Sequence, residues 1–213
     1  MLKPLLKFNN NKVLQMREDE HDLKLQLGSG GRMLKGWINI DSIWRPNTVV
    51  MRLPQGLRKF NNSSIEYIYS CHFLEHLRYP QEALSLLKTC YRLLKPGGAI
   101  RIGVPDIEKI IDAYVRDDKD FFSEQKRLHP DCCSTKLEHL MYALQQEGEH
   151  RYGYDFQTLN KLLKKAGFNE VFRSAYGKSK IEALNVDYRD DLEKDFHLTL
   201  YVDALKSPEK EVQ

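Results

Sequence analysis

Apolar and polar positions follow two distinct periods along this chain. Leu25 and Leu27 alternate with polar neighbours, a two-residue period that predicts a strand, and Gly28, Gly30 and Gly31 follow as a turn where backbone can approach a ligand with no Cβ in the way. Trp37, Ile38 and Ile40 repeat the strand period and end on Asp41. Val49 to Met51 makes a third short run before Leu53-Pro54, and the β-branched and aromatic stretch Ile65 to Ser70 makes a fourth. From Pro80 the period changes: Leu84, Leu87, Tyr91 and Leu94 recur at steps of three and four, predicting a helix that Lys95-Pro-Gly-Gly98 ends. Ala99 to Val104 reads as a buried strand stopped by Pro105, and Asp106 is placed to cap a helix running through Tyr114. Residues 117–154 are charged and largely helix-prone, broken at His129-Pro130 and Cys132-Cys133, and read as a substrate-shaping insertion. Asp155 then caps a helix with Phe156, Leu159, Leu162, Leu163 and Ala166 on one face and Gly167 at its end; Glu170 to Arg173 and His197 to Leu205 supply two more strands.

Strands alternating with helices predict an α/β fold with a doubly wound, mostly parallel sheet, whose ligands bind at the carboxyl ends of the strands. Gly28, Asp41, Ser70 and Asp106 would lie there. A chain of 213 residues with 41% hydrophobic content suits one such domain, here 23–206, with a polar appendage at 1–22 and a polar tail at 207–213. The net charge of +3 arises from 33 basic and 30 acidic residues, a balance that does not point to nucleic acid. Cysteines 71, 90, 132 and 133 show no C-x-x-C spacing, and the adjacent pair suits neither zinc nor an ordinary disulfide. Reduced thiols and a cytoplasmic location are expected, with no targeting segment and no membrane span.

The chemistry concentrates near the glycine turn. Asp41 follows Gly28 by thirteen residues, too few for the full helix that precedes the acid of a dinucleotide site, so its carboxylate is expected to accept ribose hydroxyls of a different adenosine-bearing cofactor. His72-Phe-Leu-Glu-His76 matches the H-x-x-E-H pattern of a zinc hydrolase, but no downstream acid is marked as a third ligand and no metal is expected. His72 and His150 are candidates for acid–base work, as imidazoles that titrate near neutrality; Asp106 could orient substrate or simply cap its helix.

Five ordered segments carry a family resemblance: Leu25-x-Leu-Gly-Ser-Gly30, Gly36-Trp-Ile-Asn-Ile-Asp41, Asn62 to Ser70, His72-Phe-Leu-Glu-His-Leu77, and Arg92 through Lys95-Pro-Gly-Gly98 to Asp106. Together they resemble class I S-adenosylmethionine-dependent methyltransferases, in the subgroup with a shortened first crossover. That resemblance implies a Rossmann-like seven-stranded sheet with a helical insertion before the last helix, and S-adenosylmethionine as cofactor. It places Gly28, Ser29 and Gly30 against the methionine and adenosine, Asp41 on the ribose, and Ser70, Cys71 and His72 beside the transferable methyl. The expected acceptor is an oxygen or nitrogen of a small-molecule or saccharide-type substrate. A non-catalytic S-adenosylmethionine-binding module acting through a protein partner is the alternative, and a zinc hydrolase a distant third.

Overall fold

The computed structural model describes residues 22–187 and 198–208. Its strands are β1 (Leu23–Leu27), β2 (Ile38–Asp41), β3 (Thr48–Val50), β4 (Ile65–Cys71), β5 (Leu94–Pro105), β6 (Glu170–Ser174) and β7 (Thr199–Leu205). They join in one sheet of order β3-β2-β1-β4-β5-β7-β6. The first five run parallel, and β7 lies antiparallel between β5 and β6. The seven-stranded, mostly parallel sheet is the one expected. His197, most of the N-terminal appendage and the end of the tail fall outside the described residues.

One face of the sheet is apolar. Leu25, Leu27, Ile40, Ile68, Ile100 and Val202 pack there against α1 (Gln81–Leu93) and α5 (Phe156–Ala166). Each such side chain removed from water contributes about 1.5–3 kcal/mol, which makes this layer the main source of stability. The buried face of α1 is Ala83, Leu86, Leu87, Cys90 and Leu93 rather than the predicted Leu84, Leu87, Tyr91 and Leu94. Leu94 is in β5, paired in register with Ile65 of β4. Tyr91 is drawn to the helix edge instead, where its ring meets Phe168 edge-on at 5.1 Å.

The opposite face is polar and aromatic. Tyr69, Cys71 and Tyr201 are buried there beneath Leu34, Trp37, Tyr176 and Val186, so irregular segments cover it among the described residues. The connections from β1 to β2 and from β2 to β3 are too short to carry helices across it. Arg101 of β5 is wholly buried on this face, ion-paired at 2.7 Å to both Asp187 and Asp203, and it donates to the Ala175 carbonyl and the Ser174 hydroxyl. Burial opposes its charge, but the two carboxylates outweigh burial and hold the guanidinium more basic than usual.

Three helices lie between β5 and α5: α2 (Ile107–Val115), α3 (Lys119–Gln125) and α4 (Lys136–Gln145). Asp106 and Asp118 cap the first two through the backbone N–H groups of Lys109 and Phe121. Thr135 and Glu138 form a reciprocal capping box on α4, and the Ser134 and Thr135 N–H groups hold the Glu138 carboxyl down at about 2. No helix among the described residues is long and apolar enough to cross a membrane.

Candidate active site

The carboxyl ends of β1 and β4 lie side by side, with Leu27 paired to Ser70. Gly28 leaves β1 at φ +66°, and a Cβ there would stand 2.5 Å from Cγ of Phe73, so only glycine lets the post-β4 segment close on the turn. Gly30, at φ +54°, donates its N–H to Oδ2 of Asp41 at 2.8 Å, while Ile43 donates to Oδ1 at 2.9 Å. Asp41 therefore clasps the glycine turn and keeps lone pairs for a further donor. The hydroxyls of Ser29 and Ser70 are buried and have no hydrogen-bond partner among the described residues. Two orphaned hydroxyls, a turn with open space at Gly30 and a half-buried carboxylate suit the amino-acid and ribose groups of an adenosyl cofactor.

Immediately after β4 the chain does not start an α-helix. His72 takes a left-handed φ of +53°, held by its N–H to the Gly103 carbonyl, and only a 3-10 turn, Leu74–His76, follows. The two histidines of the H-x-x-E-H pattern therefore do not share a helix face as a zinc hydrolase requires. His72 is clamped: Nε2 lies 2.9 Å from the Thr199 hydroxyl and Nδ1 3.3 Å from Oε1 of Glu75. Glu75 is 1% exposed, and that contact is too poorly aligned to satisfy its carboxyl oxygens by hydrogen bonding. Its backbone carbonyl accepts from the N–H groups of Arg151 and Tyr152, which brings the end of the insertion down onto this turn.

His150 arrives by that route. Its Nδ1 lies 2.9 Å from the Ala143 carbonyl, so this nitrogen carries the proton and Nε2 of the neutral ring keeps its lone pair. Burial holds the His150 pKa below the usual imidazole value, against the upward pull of the Ala143 carbonyl and Glu75. His76 stands edge-on to it, ring centroids 5.0 Å apart, and the two imidazoles and Glu75 bring their ligand atoms within 4.8 Å of one another. Tyr154, buried nearby with an unpartnered hydroxyl, is pushed up by burial and by Glu75.

A cavity of about 210 Å³ opens here, lined by His72, Pro105, Leu128, His129, Tyr142 and His150 among others. A larger one of about 520 Å³ lies over Lys24, Trp37 and Asn39 and shares no lining residue with it. The smaller cavity is the one beside strand ends that carry titratable groups, and chemistry rather than size selects it. Burial and the neighbouring His139 depress the His129 pKa to about 4.

Among the residues singled out from sequence, Gly28, Ser29, Gly30, Asp41 and Ser70 gather at the β1–β4 edge, and His72 and His150 line one cavity. Cys71 turns away, packing with Tyr69 and Tyr201 on the polar face. Asp106 is committed elsewhere: one oxygen caps α2 and the other meets the Arg173 guanidinium at 3.0 Å. Thr199, Tyr142 and His129 were not among the residues singled out from sequence, and Glu75 entered there only as part of the H-x-x-E-H match. For Glu75 the available signal was an acid inside a segment otherwise bound for burial.

A family model described as a methyltransferase domain matches residues 9–171, more than half of the chain. This chain belongs to that methyltransferase family. It is a class I S-adenosylmethionine-dependent methyltransferase, and S-adenosylmethionine is its cofactor. The fold agrees with solved structures. A SAM-dependent methyltransferase from Archaeoglobus fulgidus superposes with a TM-score of 0.54 at 18% identity, covering 95% of this chain and 94% of the other. A possible histamine N-methyltransferase from Thermotoga maritima gives 0.51 at 16% identity, covering 92% and 86%. No curated protein matches in sequence. The reading as a non-catalytic binding module gains no support from these likenesses.

Proposed function

We propose that the enzyme methylates an oxygen or nitrogen of a small-molecule or saccharide-type acceptor whose reacting end enters the cavity between His72 and His150. Bound S-adenosylmethionine supplies a methyl group already activated by its sulfonium, so the protein's work is alignment and proton removal. Gly28, Ser29, Gly30, Asp41 and Ser70 hold the donor, Asp41 through ribose hydroxyls and the serines through their free Oγ atoms. His150 is the general base. The observation that carries this assignment is its fixed tautomer, with Nδ1 on the Ala143 carbonyl and Nε2 bearing a lone pair in a neutral ring. His72 is already committed to Thr199 and Glu75 and acts as a positioning residue at the cavity mouth. At about 210 Å³ the cavity is smaller than typical ligand sites, so it admits the acceptor's reacting end and leaves the remainder outside, against the 117–154 insertion. The mixture of imidazole, phenol and amide groups on its wall suits hydroxyl- or amine-bearing acceptors.

The test follows S-adenosylhomocysteine formation across a panel of sugars, phenols and amines, with cofactor affinity measured separately by calorimetry. His150→Gln should slow transfer at least tenfold, as loss of a general base does, with cofactor affinity unchanged. Equal turnover in wild type and variant would remove His150 from the reaction. Cofactor binding with no transfer across the whole panel would favour the non-catalytic module.

A further inference from the structure

We propose that His129, Cys133 and His139 form a zinc site that ties the loop between α3 and α4 to the first turn of α4. The three side chains bring their ligand atoms within 4.8 Å of one another, and the Nδ1 atoms of the two histidines are already 2.9 Å apart. Two nitrogens bound to tetrahedral zinc at about 2.0–2.1 Å sit roughly 3.3 Å from each other, so opening this pair by a few tenths of an ångström makes room for the ion. Two imidazoles and a thiolate are a borderline-soft donor set that selects zinc over magnesium or calcium, which favour oxygen. Cys133 gives up its thiol proton to solvent as the metal binds.

The local fold brings the trio together. The Cys133 N–H reaches back to the Pro130 carbonyl, closing a turn that sets the thiol inward while Cys132 stays exposed. The Thr135–Glu138 capping box then fixes the start of α4 and places His139 inside, 1% exposed. Phe122 lies 6.0 Å from the His139 ring and Tyr142 4.7 Å from that of His129, so aromatic rings screen the site from water. With zinc on Nδ1 of His139, its buried Nε2, which has no hydrogen-bond partner among the described residues, is the ring position that carries the proton. Because His129 also lines the acceptor cavity, the metal would stiffen that wall. The site stands whatever the acceptor is.

The full chain, purified without chelator, should carry near-stoichiometric zinc by elemental analysis. After chelation, Co²⁺ should restore a thiolate-to-metal charge-transfer band, which Cys132→Ser keeps and Cys133→Ser loses. His129→Gln should weaken Co²⁺ binding at least tenfold while retaining the thiolate, and serves where Cys133→Ser fails to fold. Metal-free wild-type protein that gives no thiolate band with Co²⁺ would overturn the site, as would a band that survives in folded Cys133→Ser or is lost in Cys132→Ser.

Discussion

His72 and Glu75 face one another across the turn that ends β4, Nδ1 3.3 Å from Oε1, with the carboxyl group buried and its oxygens short of hydrogen bonds. A buried carboxyl in that condition is a cost to folding of roughly 1–3 kcal/mol, retained here beside the reacting cavity. Glu75→Gln keeps the shape and removes the charge. Its thermal midpoint should equal or exceed that of wild type, while methyl transfer falls at least tenfold because His72 loses its charged partner. A clear drop in thermal midpoint would show that the carboxyl is a structural brace instead.

Gly28→Ala should be far more damaging than Gly30→Ala, although both glycines have positive φ. The added Cβ at 28 meets the root of the Phe73 side chain at 2.5 Å, whereas nothing lies within 4 Å of the same atom at 30. We expect about 2–4 kcal/mol of destabilisation at 28, from left-handed strain plus overpacking, and about 1–2 kcal/mol at 30 from strain alone. Urea unfolding of the two variants gives the comparison, and equal losses would mean Phe73 yields freely.

Arg101→Met leaves Asp187 and Asp203 facing each other in a buried layer. Removing one partner of such a network costs on the order of 3–5 kcal/mol. Neutralising both acids as well, with Asp187→Asn and Asp203→Asn, should recover much of the loss, because the penalty belongs to uncompensated charge. If the triple variant unfolds as easily as Arg101→Met alone, the bonds to Ser174 and Ala175 matter more than the charges.

The sheet was legible because its apolar face is written in two-residue alternation: Leu25 and Leu27, Ile38 and Ile40, Ile100 and Ile102 each point to one layer. The face of α1 was harder to read, since periodicity gives most weight to large residues. Small Ala83 and Cys90 lie on the buried face, while Leu84 and Tyr91 are only half-buried at its edge. The same limit applies to the candidate site. Glycines and Asp41 are close in sequence and their proximity follows from strand geometry, but His150 meets the post-β4 turn through tertiary contacts, the Glu75 carbonyl that takes the Arg151 and Tyr152 N–H groups and the edge-on His76 ring. The trio of His129, Cys133 and His139 carries no C-x-x-C spacing, and which of the two adjacent cysteines turns inward is set only by the folded turn at Pro130.

His150 gives the enzyme a pH dependence with a definite sign. Burial lowers its folded-state pKa below the unfolded value of about 6.5, so between the two values the unfolded chain binds the proton that the folded protein refuses. Unfolding free energy therefore rises with pH across that window. The stability that comes from keeping the ring neutral is fully present above about pH 6.5 and is lost as pH falls through the folded pKa. Subtracting the urea stability of His150→Gln from that of wild type, at a series of pH values from about 7.5 downward, isolates this residue from the other histidines. The difference should decline toward acid and level off once both states are protonated. Methyl transfer should fall over the lower part of the same range, since the base works only when Nε2 is free. A flat difference curve would place His150 in an environment no drier than the unfolded chain, and the base assignment would then rest on geometry without the burial that keeps the ring neutral.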